Sequence, residues 1–325
     1  MALGEFSLID RYFKKKPPAQ VIGVGDDAAV LPWANQGSLV VCKDLLIQGR
    51  HFFSDVAPDA LGHKALAVNL SDLAAMGARP IGCLLGLALP SVDEPWLEKF
   101  ASGFLALAHA HGSPLVGGDT VATNDGLVIS VTALGYLPDA QPGLLRRGAC
   151  VDDRLWVSGY LGAADLALKI LQGNLVDEQG VLPQIRQSLE WPEPRVSLGQ
   201  RLLGVAHAAI DISDGLVQDL GHLLDQSGVG AVLEIARLPA HPSLAKLSPD
   251  MVQQAMLGGG DVYELCFTAP ASKDAEVLAI GLALDLPLTC IGYITAERQL
   301  MGRYPNGQHR ILSQKGFDHF AGDRS

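Results

Sequence analysis

Apolar positions along the chain follow two periods. Between Pro58 and Met76 they recur at helical spacing, at Leu61, Ala65, Leu66, Leu70, Leu73 and Met76, and Gly77 is a natural stop. A second helix is predicted over 93–111, opened by Asp93 with Pro95 in its first turn. Short apolar or β-branched runs predict strands over 38–46, 81–89, 115–119 and 127–137, the run 81–89 reading as a buried strand closed by Pro90. Residues 21–30 read as a strand broken by Gly23, Gly25, Asp26 and Asp27, and residues 5–13 as a short amphipathic helix ended by a basic, proline-containing linker. Further along, strands are predicted over 155–158, 208–212, 232–235, 263–268 and 289–294. Helices are predicted over 162–171, 195–207, 216–226, 249–257 and 273–284. The stretch 173–194 carries few regular signals and reads as a long connection. Strands and helices alternate in both halves, which predicts an α+β protein of two mixed α/β domains. The Gly-, Pro- and Arg-rich segment 138–153 places the boundary between residues 1–140 and 141–325.

Composition narrows the function. Hydrophobic residues make up 48% and charged residues 18%, enough apolar content for real cores. A net charge of −11 argues against nucleic acid as a partner. It also means that a phosphate-bearing substrate would need cations to bridge it to the protein. No apolar run is long enough to span a bilayer, and the first residues lack the basic and apolar regions of a signal peptide. Five widely spaced cysteines, with no C-x-x-C, fit a reduced, cytoplasmic protein.

The candidate chemistry lies in misplaced aspartates. Asp72 sits where the helix over 58–76 should be burying itself, and Asn69 adds a second polar group on the same face one turn earlier. Asp44 interrupts an apolar strand. Asp26 and Asp27 follow Gly25, Asp119 follows Gly117 and Gly118, and Asp211 and Asp214 flank Ser213 at a strand end. One such residue is ordinary; this many at element ends point to one shared site. Magnesium is usually held by one or two carboxylates plus water and substrate phosphates, so several carboxylates imply several Mg2+ ions bridging an acidic protein to a nucleotide. There is no Walker A, G-x-S-x-G or H-E-x-x-H motif. Gly23-Val-Gly-Asp-Asp-Ala28 matches a loose dinucleotide pattern, but Leu31-Pro32-Trp33 follows in place of a helix start and the aspartates would repel phosphate.

Five segments occur in one order: Gly25-Asp-Asp27, Asn69-Leu-Ser-Asp-Leu-Ala-Ala-Met-Gly-Ala78, Gly117-Gly-Asp-Thr120, Ile210-Asp-Ile-Ser-Asp-Gly-Leu216 and Tyr263-Glu-Leu-Cys-Phe267. Together they closely resemble the thiamine-monophosphate kinase family, from Gly4-Glu-Phe-Ser-Leu-Ile9 to Gly316-Phe-Asp-His-Phe320. The resemblance implies ATP-dependent phosphorylation of thiamine monophosphate to thiamine diphosphate by direct in-line transfer. It implies a homodimer whose N-terminal sheets join into a barrel, and a C-terminal α/β sandwich. By resemblance, Asp27, Asp44, Asp72, Asp119, Asp211 and Asp214 are magnesium ligands. Gly118, Asp119, Arg146 and Ser213 contact ATP, and His51, Asp261 and Phe317 contact thiamine monophosphate. Asp72, Asp214 and Arg146 are the residues expected to carry the catalysis. Mg2+ and ATP are the implied cofactor and co-substrate, and a potassium requirement is left open. The other readings are a related ATP-using synthetase of the same superfamily and a catalytically impaired nucleotide- or metal-binding homologue. The chain departs from the family pattern twice, at Cys42-Lys43-Asp44 and at Gly259-Gly260-Asp261-Val262-Tyr263-Glu264. The first puts metal contacts in doubt. The second shortens a carboxylate expected at the substrate and deletes its neighbour.

Overall fold

A computed structural model describes residue 22 and residues 26–32, 37–138 and 143–313. The helix predicted over 5–13, the linker after it, Gly23, Gly25 and Phe317 lie outside these. The chain runs β1 (Ala29–Pro32), β2 (Ser38–Ile47), α1 (Pro58–Ala75), β3 (Arg79–Leu89), α2 (Glu94–Ala110), β4 (Leu115–Ala122) and β5 (Val128–Leu137). It continues with β6 (Arg154–Ser158), α3 (Ala163–Leu171), α4 (Leu182–Glu190), α5 (Val196–Leu202), β7 (Ala208–Asp211), α6 (Leu216–Ser227) and β8 (Gly230–Glu234). Last come α7 (Pro249–Gly258), β9 (Leu265–Ala269), α8 (Asp274–Ala283), β10 (Leu288–Thr295), β11 (Leu300–Arg303) and β12 (His309–Ile311). The strands form two mixed sheets, β1-β2-β5-β3-β4 and β12-β11-β8-β10-β6-β9-β7.

Helix α1 is the hub. It is buried nearly all round, as expected of a helix that is apolar on every side. Its approach to α2 depends on two glycines: a Cβ on Gly62 would lie 2.1 Å from the Phe100 carbonyl, and one on Gly103 1.9 Å from that of Asp59. Gly77, at φ +69°, ends it. One hydrophobic cluster runs from the first sheet through α1 and α2 to α5, Trp156 and Phe267, so α1 joins the first sheet to the second. A second cluster fills the space between the second sheet and α3, α6 and α7.

Four predicted elements need correction. The stretch 173–194 contains α4, whose Ile185 and Leu189 are buried one turn apart. Its start is tied by Asp177, which accepts from the amides of Val181 (2.8 Å) and Leu182 (2.9 Å). The helix over 195–207 stops at Leu202, and the strand over 263–268 starts two residues late, because Tyr263 is held at φ +56°. Strand β3 is not covered on both faces: Ile81 and Leu84 are 38% and 39% exposed. Strands β11 and β12 are additional.

Candidate active site

The site forms where α1 and β2 meet the ends of β7 and α6. Asp44 lies on β2 facing α1, and the register leaves Cys42 on the same face and Lys43 on the other. Accordingly the Cys42 Sγ donates to the Asn69 carbonyl at 3.3 Å, while Lys43 Nζ donates to Ser130 Oγ at 2.5 Å across the outer face. Asn69 accepts from the Asp44 amide through Oδ1 (3.2 Å), which pins strand to helix. Two residues on, Ser71 donates to Asp211 Oδ2 at 2.6 Å, which pins the same helix to β7. Asp72 projects between these two ties.

Carboxylate oxygens of Asp27, Asp72 and Asp211 lie within 4.8 Å of one another. Arg146 is the cation here: its Nη2 donates to Asp27 Oδ1 at 2.6 Å and its amide to Asp26 Oδ1 at 2.9 Å. One guanidinium does not balance this cluster. Burial, then the neighbouring carboxylates Asp44 and Asp211, push Asp72 well above the usual carboxylate range. Burial first, then Asp27, pushes Asp211 up to about 8, and burial pushes Asp44 up to about 6. Asp27 Oδ2 and Asp44 Oδ2 are buried with no hydrogen-bond partner among the described residues. Clustered carboxylates with orphaned oxygens are the donor set of a hard divalent cation, so these residues fit Mg2+.

The cluster opens into a cleft of about 660 Å³ lined by Asp44, Asp72, Asp211, Ser213 and Asp214. Asp214 accepts from Gln218 Nε2 at 3.2 Å. The loop Ser213–Gly215 is shaped by Asp219, whose Oδ2 accepts from the amides of Ser213, Asp214 and Gly215, each at 3.0 Å. Further along the cleft, His51 Nδ1 accepts from the Ile47 amide at 3.0 Å, which fixes the proton on Nε2. Asp261, at φ +59°, is docked by its amide to the Ser213 carbonyl at 2.8 Å. Its Oδ1 takes an ion pair from Lys64 (2.8 Å) and the Tyr263 hydroxyl (3.0 Å). Lys64 is buried and lies two helical turns before Asp72 on the same face of α1.

Gly118 and Asp119 are not brought to this cleft. They lie on edge strand β4, three strands from β2, roughly 14 Å across the sheet. The pairings Asp44–Val131, Val131–Leu85 and Leu85–Gly118 put Gly118 in the row of Asp44, and therefore Asp119 on the face turned away from α1. A Cβ at Gly118 would lie 1.9 Å from the Leu85 carbonyl, so glycine permits this strand pairing.

The N-terminal domain model of AIR synthase related proteins matches residues 25–137, and the C-terminal domain model matches residues 164–304. A thiamine-monophosphate kinase of Salmonella typhimurium is 42% identical over 327 residues, covering 99% of each chain. The crystal structure of a thiamine-monophosphate kinase from Stenotrophomonas maltophilia K279a is 43% identical, covers 90% of this chain and 92% of its own, and superposes with a TM-score of 0.79. The complex described as AaThiL with AMPPCP and TMP is 30% identical, covers 98% and 99%, and gives a TM-score of 0.84. The chain belongs to the thiamine-monophosphate kinases. Two residues that line or shape this kinase's cleft escape a reading of motifs. Lys64 is hidden because a lysine in a helix ordinarily faces solvent. Asp219 is hidden because its task, ordering three amides, lies four to six residues from the loop it serves; its place in the first turn of α6 was the available signal.

Proposed function

We propose that this chain phosphorylates thiamine monophosphate to thiamine diphosphate at the expense of ATP, in the cleft between α1 and the second sheet. The observation that carries the reading is the joining of a carboxylate cluster with orphaned oxygens to a cleft that is also lined by His51 and the Lys64–Asp261 pair. Asp27, Asp44, Asp72, Asp211 and Asp214 would hold Mg2+, which when bound supplies the positive charge that lets an acidic protein accept a triphosphate. Ser213 and the loop ordered by Asp219 would bound the nucleotide phosphates. Arg146, already fixed at Asp27, would face the charge that develops on the transferring group. A phosphate oxygen of thiamine monophosphate attacks the γ-phosphorus in line, the bond to the β–γ bridging oxygen breaks, and ADP leaves. No covalent enzyme intermediate forms. Phe317 would stack on the cationic heterocycle. His51 would donate through Nε2. Asp261 Oδ2 would meet the ligand's positive charge, with Lys64 keeping that carboxylate ionised as a positioning residue.

Residues 1–140 and 141–325 are the two units of this reading, supported by family models that end at 137 and resume at 164. A homodimer completes the site. The outer face of the first sheet exposes Leu45, Ile47, Leu84 and Val121, and Asp119 shares that face. A second copy packing there would close the two sheets into a barrel and carry its Asp119 toward this cleft. No helix among the described residues is long and apolar enough to cross a membrane, and we place the enzyme in the cytoplasm.

Coupled ADP release tests the reading. Release that requires thiamine monophosphate supports the kinase. Release with another acceptor only would indicate a related synthetase, and ATP binding without release would indicate a homologue that has lost catalysis.

A further inference from the structure

We propose that Cys150, Asp153 and His207 form a second metal site, for a borderline transition ion such as Zn2+, separate from the carboxylate cleft. Their donor atoms all lie within 4.8 Å of one another. None of the three lines the cleft, and no step of the proposed phosphoryl transfer uses them.

The backbone holds the three residues together. Cys150 and Asp153 close a turn: the Asp153 amide donates to the Cys150 carbonyl (3.0 Å) and the Cys150 amide to Asp153 Oδ2 (2.9 Å). His207 enters from the start of β7, fixed by its amide on the Thr268 carbonyl at 2.8 Å. The two pieces are pressed together at Gly148, which has φ +120° and where a Cβ would lie 2.7 Å from the His207 carbonyl. Ser227 braces the turn, accepting from the amides of Gly148 (3.1 Å) and Ala149 (3.2 Å) and donating to the Arg146 carbonyl (3.1 Å).

The donor set selects the ion. A tetrahedral Zn2+ with bonds of about 2.3 Å to sulfur and about 2.0–2.2 Å to nitrogen and oxygen sets its donors roughly 3.4–3.6 Å apart. Metal binding would draw the donors, now within 4.8 Å of one another, to that spacing. Thiolate and imidazole suit Zn2+ and not hard Mg2+, so the two sites would sort the two ions. Asp153 is buried with both oxygens at 2.9 and 3.0 Å from His207 Nδ1. It serves as the third protein ligand. Cys150 is exposed and the His207 side chain is 40% exposed, so the ion is reached from solvent and water takes the fourth position. Binding displaces the thiol proton to solvent.

Co2+ is the probe. The reduced, metal-stripped full chain, with excess Mg2+ to occupy the carboxylates, is titrated with Co2+ and followed by absorption. A sulfur-to-cobalt charge-transfer band with tetrahedral ligand-field bands, displaced by Zn2+, is expected. C150S should abolish the charge-transfer band, and H207Q should weaken Co2+ binding roughly tenfold or more while leaving the fold intact. Alkylation of Cys150, followed by peptide mass, should be slowed by Zn2+ in the unmutated chain, a readout independent of either variant's folding. Absence of the charge-transfer band, its persistence in C150S, or alkylation indifferent to Zn2+ would overturn the proposal.

Discussion

Asp72 is half-buried beside Leu70, Leu73 and Ala74 with other carboxylates for neighbours, a placement that costs free energy unless a cation compensates it. Asp72→Asn keeps the shape and removes the charge. Turnover should fall by roughly three orders of magnitude or more with the melting temperature maintained; near-normal turnover at saturating ATP and Mg2+ would remove Asp72 from the site. Lys43 makes the opposite prediction. Its ammonium is engaged with Ser130 on the far face of β2, so Lys43→Thr should leave the half-saturating Mg2+ concentration unchanged. A several-fold rise would mean that the ammonium reaches the phosphates. In the same cleft, Lys64→Met should raise KM for thiamine monophosphate much more than KM for ATP, because it acts through Asp261. Equal effects would make the pair structural.

At the scale of elements, the α1–α2 crossing is set by glycine contacts with no room for a methyl group. Gly103→Ala should destabilise the fold by about 1–3 kcal/mol, read as a lower denaturant midpoint at unchanged slope. Helix α1 itself was legible from its spacing and its Gly77 stop, and Asp72 was legible because it broke that spacing. What escaped has a physical cause in each case. Helix α4 carries a helical period at Leu182, Ile185 and Leu189, but Trp191-Pro-Glu-Pro194 and the glycines before it mask so short an element. Tyr263 looked like the first residue of a strand, but its amide is drawn onto the Ile212 carbonyl at 2.8 Å, and that docking turns the backbone to positive φ. The aspartates were legible as a group, yet sequence order says nothing of which sheet face each takes. Sequence order therefore groups Asp119 with Asp44, whereas the strand register turns it outward.

At the scale of the whole molecule, Asp119 yields a test of assembly. If the partner supplies it, mixing inactive Asp72→Asn with inactive Asp119→Asn subunits restores one intact site in each mixed dimer, about a quarter of normal activity from an equal mixture. No recovery after verified subunit exchange would put both residues in one protomer's site or remove Asp119 from it. The buried carboxylates also set the pH response of the metal-free protein. Asp211 and Asp44 titrate above their unfolded values, at about 8 and about 6, so the folded state holds protons that the unfolded chain has released. Their contribution to stability is fully present below about pH 4 and is lost as pH rises through about 6 and then about 8. Mg2+ should therefore raise the melting temperature more at pH 8.5 than at pH 5.5; an equal rise at both would mean that the carboxylates do not exchange protons for metal.

The most direct measurement is phosphorus NMR of the chain with ATP, Mg2+ and thiamine monophosphate. The single resonance of the monophosphate should be replaced by the two coupled resonances of a diphosphate, in step with ADP and without inorganic phosphate. Consumption of ATP to inorganic phosphate with the monophosphate resonance unchanged, or no consumption at all, would contradict the assignment of this cleft to phosphoryl transfer between ATP and thiamine monophosphate.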